Sequence, residues 1–570
     1  MNLRMLLSNL NLLATAPGGM ARLRELILTL AVQGKLVPQD PQDEPAGELL
    51  KKIRAEKDRL IAEGKIKRDK PLAEIAEEEK PFELPLGWNW VRLAEVAFPQ
   101  AGFAFKSGGF NEVRQGLPLI RIRDVGESDP STFFSSEYRE EFVVESGDWL
   151  ISMDGEFRVR EWLGPKALLN QRVTRLIFFG EDVFRPFVTA ALQFKLSELQ
   201  GTKAYTTVDH LSGGQIALSV IALPPLAEQS RIVTRVEELM RLCDALEAKG
   251  QLAATQHAQL VSTLLATLTD SETPAQLAEN WHRIATHFDL LLDRPEAVDA
   301  LEQTILQLAV RGLLVPQDPQ DEPASELLKK IRAEKDKLIA EGKIKRDKPL
   351  PPIAEDEQPF ALPSGWEWTQ TGYLVNDSEA GWSPTCIGSP RRSGHWGVLK
   401  VSAVSWGAFD ANANKELPAD LTPRPEYEVQ GGDFLLSRAN TEELVARSVV
   451  VGTAEPKLML SDKIIRLEVS SLTNRDFLNL CNNANHARVH YIANASGTSS
   501  SMKNVSREVV LRTPVPLPPL AEQSRIVTRV AQLRRLCADL RQRLAASQST
   551  QAHLAEALVQ EVALEPQKAV

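Results

Sequence analysis

The apolar residues Ile232, Val236, Leu239, Cys243 and Leu246 follow one another at steps of 4, 3, 4 and 3, and Ile526, Val530, Leu533, Cys537 and Leu540 repeat those steps. Such a stripe is the seam of a helix that packs on another helix. Pro225 and Pro519 stand just ahead of the stripes, where the backbone donor that proline lacks has no helical partner to lose. Glu228 puts a carboxylate in the first turn, at the positive end of the helix dipole. The first helix is predicted from Ala227 to about Leu268, roughly 60 Å at 1.5 Å per residue. Two such helices are expected to pair within the chain as an antiparallel coiled coil, with Cys243 and Cys537 as small core residues of the seam.

Other segments carry shorter patterns. LRELILTLAVQGKLVPQD (23–40) and LEQTILQLAVRGLLVPQD (301–318) read as helices ended by Gly34 and Gly312 before a proline-containing turn. The stretch from Glu48 to Pro71 reads as a highly charged helix, with Leu49, Leu50, Ile53, Leu60 and Ile61 on one face and Gly64 closing it. Its mixed charges suit a solvated or partner-docking face. Between these helical parts, 117–125, 147–155 and 171–180 read as strands, as do 397–407, 432–441, 447–454 and 462–469. A helix is expected in each segment, around Arg185–Leu199 and Asn474–Ala487.

Much of the chain is written twice. Leu30–Pro71 returns as Leu308–Pro349 with four differences, at an offset of 278, and LPPLAEQSRIVTRV at Leu223–Val236 returns unchanged at Leu517–Val530, at an offset of 294. The copies enclose two dissimilar segments, Val91–Ala222 and Thr369–Pro516. One scaffold carrying two different heads is the natural reading. The expected domains are an N-terminal helical region (1–87), a first head (88–222), a central shared helical region (223–365), a second head (366–516) and a C-terminal shared helix (517–570).

Composition narrows the chemistry. With 66 basic against 76 acidic residues, a net charge of -10, the chain is not one that coats nucleic acid by bulk electrostatics. Four cysteines without CxxC spacing indicate neither a zinc cluster nor a disulfide framework, and a reducing, cytoplasmic setting is expected. No apolar run approaches the roughly 20 residues that span a bilayer, so no membrane partner is expected. No GxxxxGK[ST] phosphate loop, no [DNS]PP[YF] tetrapeptide of amino-methyltransferases and no glycine-rich cofactor loop after a strand occur. Asp154-Gly155-Glu156 lacks the following lysine of a metal-dependent nuclease and reads as a hairpin turn. No catalytic residue, metal ligand or resident cofactor is expected.

With this organisation, the chain resembles the specificity (S) subunit of type I DNA restriction-modification systems. The resemblance rests on the twice-used PLPPLAEQxxIV helix start, the repeated LVPQDPQDEPAxELLKKIRAEK block, and the Gly-Asp-hydrophobic-Ser hairpins at Gly147–Ser152 and Gly432–Ser437. It implies a mixed α/β architecture, with two target recognition domains separated by long antiparallel coiled-coil helices in a pseudo-twofold repeat. Each domain would read half of a bipartite, asymmetric double-stranded DNA site. The helices would set the spacer and dock two modification subunits, and restriction subunits would join. S-adenosylmethionine, ATP and Mg belong, on this reading, to those partners. Other classes that fit are the specificity subunit of an orphan methyltransferase or other defence assembly, and a coiled-coil scaffold that reads no DNA.

Direct readout needs only a few polar side chains per half-site. The candidates in turns beside the strands are Lys106, Ser107, Arg121, Arg123, Arg158, Asn170, Gln171, Arg172, Lys203 and Tyr205 in the first head. In the second they are Arg391, Arg392, Lys400, Arg438, Asn440, Thr441, Arg447, Ser500, Lys503 and Asn504. The polar segment 497–506 stands where the family often has a polar loop. Its counterpart, 207–216, lacks the lysine and asparagine.

Overall fold

The computed structural model describes residues 10–64, 66, 71–201, 211–346, 348–405, 407–497 and 502–564. It divides into two compact units, one formed by Met1–Ala253 with Gln548–Val570 and the other by Ala254–Ser547. Each unit holds one head and one copy of the helical frame. Among the described residues no helix is long and apolar enough to cross a membrane.

The frame helices end where the glycines predict. Gly19–Val32 stops before Gly34 and Ala46–Ala62 before Gly64, both glycines in the left-handed region (φ 69° and 71°). A side chain on Gly34 would also strike Pro85 and Trp88 at 2.6 and 2.9 Å, so the turn doubles as a close contact. Pro295–Val310 and Ala324–Ala340 are their counterparts in the other unit. The long helices run over Leu226–Thr269 and Leu520–Leu564.

The seam of each long helix is buried or half-buried, and a third helix shares in covering it. Ile232 enters the core of the first head. Val236, Leu239 and Cys243 share a cluster with Leu23, Leu26 and Leu30 of Gly19–Val32 and with Ala555, Leu558 and Val562 near the end of the other long helix. In the other unit Ile526, Val530, Leu533, Cys537 and Leu540 pack with Pro295–Val310 and with Val261, Leu265 and Leu268. In each unit the start of one long helix therefore meets the end of the other, the sense an antiparallel pair requires. Ion pairs hold the third helix: Arg24 with Asp244 and Glu247 at 2.7 Å, and Arg541 with Asp299 and Glu302 at 2.6 Å. Leu246, at the end of the predicted stripe, is only half-buried and joins none of these cores.

The repeated words of the sequence meet at the joint between frame and head. Glu228 accepts from Trp88 Nε1 (3.0 Å) and Gln39 (3.2 Å), and Glu522 from Trp366 Nε1 (3.1 Å) and Gln317 (3.4 Å). Gln229 and Gln523 donate to Pro224 O and Pro518 O (2.9 and 3.0 Å), while Arg231 and Arg525 pair with Asp43 and Asp321 (2.6 Å each). Both glutamates are buried, and burial pushes their carboxyls above the ordinary range. They are thus hydrogen-bond hubs as well as first-turn carboxylates.

In the first head the strands are β1 (Asn89–Arg92), β2 (Ala97–Ala101), β3 (Phe110–Asn111), β4 (Leu117–Ile120), β5 (Phe133–Phe134), β6 (Val143–Val144), β7 (Trp149–Ser152), β8 (Val159–Glu161), β9 (Ala167–Leu169), β10 (Val173–Phe178) and β11 (Val220–Leu223). β1 pairs with β11 at the joint, β2-β10-β7-β8 form one sheet, and β3-β5-β4-β9-β6 form another in which β4 and β9 are parallel. Helix Arg185–Gly201 packs on the first sheet.

The second head has β12 (Glu367–Gln370), β13 (Val375–Ala380), β14 (Gly397–Leu399), β15 (Asn414–Glu416), β16 (Phe434–Ser437), β17 (Ala439–Asn440), β18 (Ser448–Val450), β19 (Leu458–Met459), β20 (Ile464–Val469), β21 (Lys503–Asn504) and β22 (Pro514–Leu517). It repeats the plan: β12 with β22, then β13-β20-β16-β18, then β15-β14-β19 with β14 and β19 parallel. The hairpin registers coincide, Ser152 facing Val173 and Ser437 facing Ile464. The extra ribbon β17·β21 is particular to the second head among the described residues.

Several predicted elements are shorter than their patterns, among them 147–155 (Trp149–Ser152) and 447–454 (Ser448–Val450). The strand over 117–125 ends at Ile120, because the Asp124 carboxylate accepts from Arg121 N (2.8 Å) and winds the next residues into a 3-10 turn. That over 397–407 ends at Leu399, where Lys400 N donates to Ala413 O (2.8 Å) ahead of the 3-10 turn Val401–Val404, with no carboxylate among the described residues in the role of Asp124. The helix expected over Asn474–Ala487 breaks at Ala484, whose extended backbone (ψ 161°) separates Arg475–Asn483 from Asn485–Asn494.

Candidate nucleic-acid interface

The parallel pair β4·β9 brings two strand ends side by side, since Ile120 faces Leu169. Arg121 and Asn170 follow, and Asn170 N donates to Ile120 O (3.3 Å). Antiparallel β10 starts beside the end of β7, and Met153 N donates to Arg172 O (3.1 Å). The ends of β2, β4, β7 and β9 and the start of β10 thus form one edge, which gathers Arg121, Arg123, Arg158, Asn170, Gln171 and Arg172. Arg123 and Gln171 are exposed. Arg158 holds Glu156 (2.6 Å) in a pair open to water and cheap to exchange for a ligand, while Arg172 lies 3.4 Å from the largely covered Asp154. Asp154-Gly155-Glu156 is a hairpin tip, with Gly155 at φ 70°.

The second head builds the same edge from other residues. Lys400 follows β14, Arg438 follows β16, and Arg438 N donates to Lys463 O (2.7 Å). Asn440 and Ala439 pair with Lys503 and Asn504 in the ribbon β17·β21, and Asn440 Nδ2 also reaches Ser405 Oγ (2.9 Å), at the end of the turn that Lys400 begins. Thr441 follows, donating its N–H to Asn440 Oδ1 (2.9 Å), and Lys503 Nζ donates to Gly497 O (3.1 Å). Arg447 O accepts from Ser437 N (2.9 Å), and burial lowers the guanidinium's pKa.

Four candidates stand apart from these edges. Lys106 and Ser107 lie in a turn whose Gly109 O accepts from Ser135 N, beside the start of β4. Arg391 and Arg392 flank the start of β14. The Arg391 side chain is 12% exposed and is spent on Glu455 (2.8 Å) and on Pro456 O (2.6 Å). Arg392 grips Glu416 (2.6 Å) and, with its own backbone N–H, holds that carboxyl down at about 2. Lys203, Tyr205 and Ser500 lie outside the described residues.

The sequence reading missed the residues against which these edges rest. Gly102 and Gly381 end the first sheet strand of each head where a carbonyl passes: a Cβ would come within 2.1 Å of Asn170 O and 2.0 Å of Leu460 O. Each is followed by an aromatic residue, Phe103 or Trp382, whose N–H donates to Leu169 O (3.0 Å) or Leu460 O (2.9 Å). A Gly-aromatic pair after the first strand of both heads was the available signal. Lys463, in the place that Arg172 holds, was also missed. His486 and His490 stand at H-x3-H spacing, a pattern that metal sites on helices also use. No group of three or more Asp, Glu, Cys or His able to hold a metal occurs among the described residues. His486 packs against Phe360 and Trp368 instead, and burial lowers it to about 4.

Two heads of one strand plan, each docked on a copy of one helical frame, make the chain an internally duplicated α/β protein. The Type I restriction modification DNA specificity domain matches residues 85–255 and 420–547, and the chain belongs to that family. It is 42% identical over 560 residues to the Type I restriction enzyme EcoEI specificity subunit of Escherichia coli, covering 95% of this chain and 93% of that one. It is 36% identical to the EcoAI specificity subunit of Escherichia coli, over the same shares. The HsdS subunit from Thermoanaerobacter tengcongensis matches with a TM-score of 0.36 at 17% identity, over 85% of this chain and 98% of that one.

Proposed function

We propose that this chain is the sequence-reading subunit of a type I restriction-modification complex. Each head reads one half of a bipartite, asymmetric site in double-stranded DNA, and the paired long helices set the spacer. The observation that carries this is the pair of edges: one strand plan presents Arg121, Asn170 and Arg172 in one head and Lys400, Arg438 and the Asn440–Lys503 ribbon in the other. Different side chains on equal scaffolds are what an asymmetric site demands, because each base pair offers its own pattern of donors and acceptors in the major groove.

The frame docks two modification subunits, which supply S-adenosylmethionine chemistry, and restriction subunits supply ATP- and Mg-dependent translocation and cleavage. The chain itself transfers no methyl group and cuts no DNA, and it works in the cytoplasm. The test is an exchange of Val91–Ala222 for the equivalent segment of a relative, followed by sequencing of the sites that the assembled complex methylates. One half of the recognised sequence should change and the other stay; a change in both halves would refute two independent heads.

A further inference from the structure

The two heads differ in sequence, yet one device recurs in both. An arginine stands nine residues ahead of the hairpin aspartate, Arg139 before Asp148 and Arg424 before Asp433. Each begins a 3-10 turn, Glu140–Phe142 or Pro425–Tyr427. Each lies over the aromatic ring that follows the close-contact glycine, with Cζ 5.3 Å from the centre of the Phe103 ring and 4.3 Å from that of Trp382.

The turns are pinned from the sheet. Arg175 of β10 donates to Glu141 O (3.1 Å), Val143 O (2.6 Å) and Asp148 (3.2 Å). Arg466 of β20 donates to Glu426 O (2.8 Å), Glu428 O (2.9 Å) and Asp433 (3.2 Å). Arg139 and Arg424 themselves are exposed. Among the described residues Arg139 pairs with the exposed Glu141 alone, at 3.4 Å, and Arg424 pairs with no carboxylate.

We propose that Arg139 and Arg424 are matched anchors for DNA phosphate, one in each head. Unlike Arg175 and Arg466, which are matched but spent on the protein, Arg139 and Arg424 are matched and exposed, and what two different half-sites share for such a pair to touch is the sugar-phosphate backbone. Stacking on the ring fixes the guanidinium while leaving its edge N–H groups for a phosphate, so less freedom is lost on binding. The neighbouring residues are readers: Phe103 and Trp382 bond the carbonyls of Leu169 and Leu460, next to the turns that carry Asn170 and Lys463. Fixing the backbone there sets the register in which those turns meet the bases.

This inference rests on the DNA-reading function proposed above, and one experiment separates the two. The chain, assembled with its modification subunits, is titrated against a duplex with the recognised sequence and one without it, over a range of salt. Arg139→Ala and Arg424→Ala should each weaken binding to both duplexes by about tenfold and flatten the log-log salt slope by about one, and the double variant by about two. The methylated sequence should be unchanged in both halves. Arg139→Lys and Arg424→Lys should keep the slope, because the charge stays while the stacked fork is lost. Unchanged affinity and slope in the double variant would overturn the proposal, and so would an altered half-site, which would make the arginine a reader of bases. An unaltered protein that prefers neither duplex would overturn the DNA-reading function itself.

Discussion

The joint between frame and head and the reading edge of the head follow opposite rules. At the joint the two halves of the chain agree bond for bond: Trp88–Glu228 matches Trp366–Glu522, Arg231–Asp43 matches Arg525–Asp321, and Gln229 and Gln523 grip equivalent carbonyls. At the edge the strand plan agrees but the side chains do not, Arg121 giving way to Lys400 and Arg172 to Lys463. A buried hydrogen-bond hub tolerates little change, because each lost partner leaves a desolvated group behind. An exposed turn at a strand end carries no such penalty. A fixed socket with exchangeable side chains at the strand ends follows from that difference.

The sharpest break in the comparison is a change that damages the edge through its backbone. Gly102→Ala and Gly381→Ala would drive a methyl into carbonyls about 2 Å away, and each should cost about 3 kcal/mol of stability and the half-site of its own head. Thermal unfolding and methylated-site sequencing read the two effects; a well-folded Gly381→Ala chain with an intact site would show that the approach is not tight. Next comes the joint. Glu522→Ala strands the Trp366 N–H and leaves a cavity, and should cost about 2 kcal/mol, with Glu228→Ala matching it to within about 0.5 kcal/mol. Unequal costs would mean that the copies are not equivalent in energy. Smaller still is Arg158→Ala at the edge. The Arg158–Glu156 pair is exposed, so stability should move by less than about 0.5 kcal/mol. Discrimination at one base pair of the first half-site should fall by about 1 kcal/mol, measured by competition between matched and mismatched duplexes.

Local periodicity exposed the long helices, their glycine stops and most strands, because those depend on spacing alone. It also placed Cys243 and Cys537 in a packed seam, where burial raises both thiols above their ordinary range. Partners distant in sequence left no such trace. Glu228 read as a carboxylate at a helix dipole because nothing near it announces Trp88, 140 residues away. Lys106, Arg391 and Arg392 share polar surroundings with Arg121 and Lys400 in the sequence, and the pairings β4·β9 and β14·β19 separate them: the first three flank strand starts, whereas Arg121 and Lys400 follow strand ends. Gly102 and Gly381 carry no local mark of their role, because the carbonyls that pass them come from strands distant in sequence.

The finest difference between the heads is a matter of pH. Arg392 and its own N–H hold the Glu416 carboxyl at about 2, against an ordinary 4.5. Registering β4·β9 on β14·β19 puts Phe133 of the first head in the place of Glu416, and Arg114 lies over that ring at 5.8 Å. One head fixes its β-edge with a titrating pair and the other with a cation over an aromatic ring. Because the carboxyl is depressed in the folded state, its contribution is fully present above about pH 4.5 and is lost as pH falls towards 2, where the folded protein takes up a proton that the unfolded chain already holds. Phe133 has no proton to exchange. The melting temperature of the unaltered chain should therefore exceed that of Glu416→Gln by a constant margin down to about pH 5, and the gap should close by about pH 2. Phe133→Leu should shift melting by an amount that does not vary over the same interval. A Glu416→Gln gap that stayed constant to pH 2 would show that the Arg392 pair does not hold the carboxylate in its charged form.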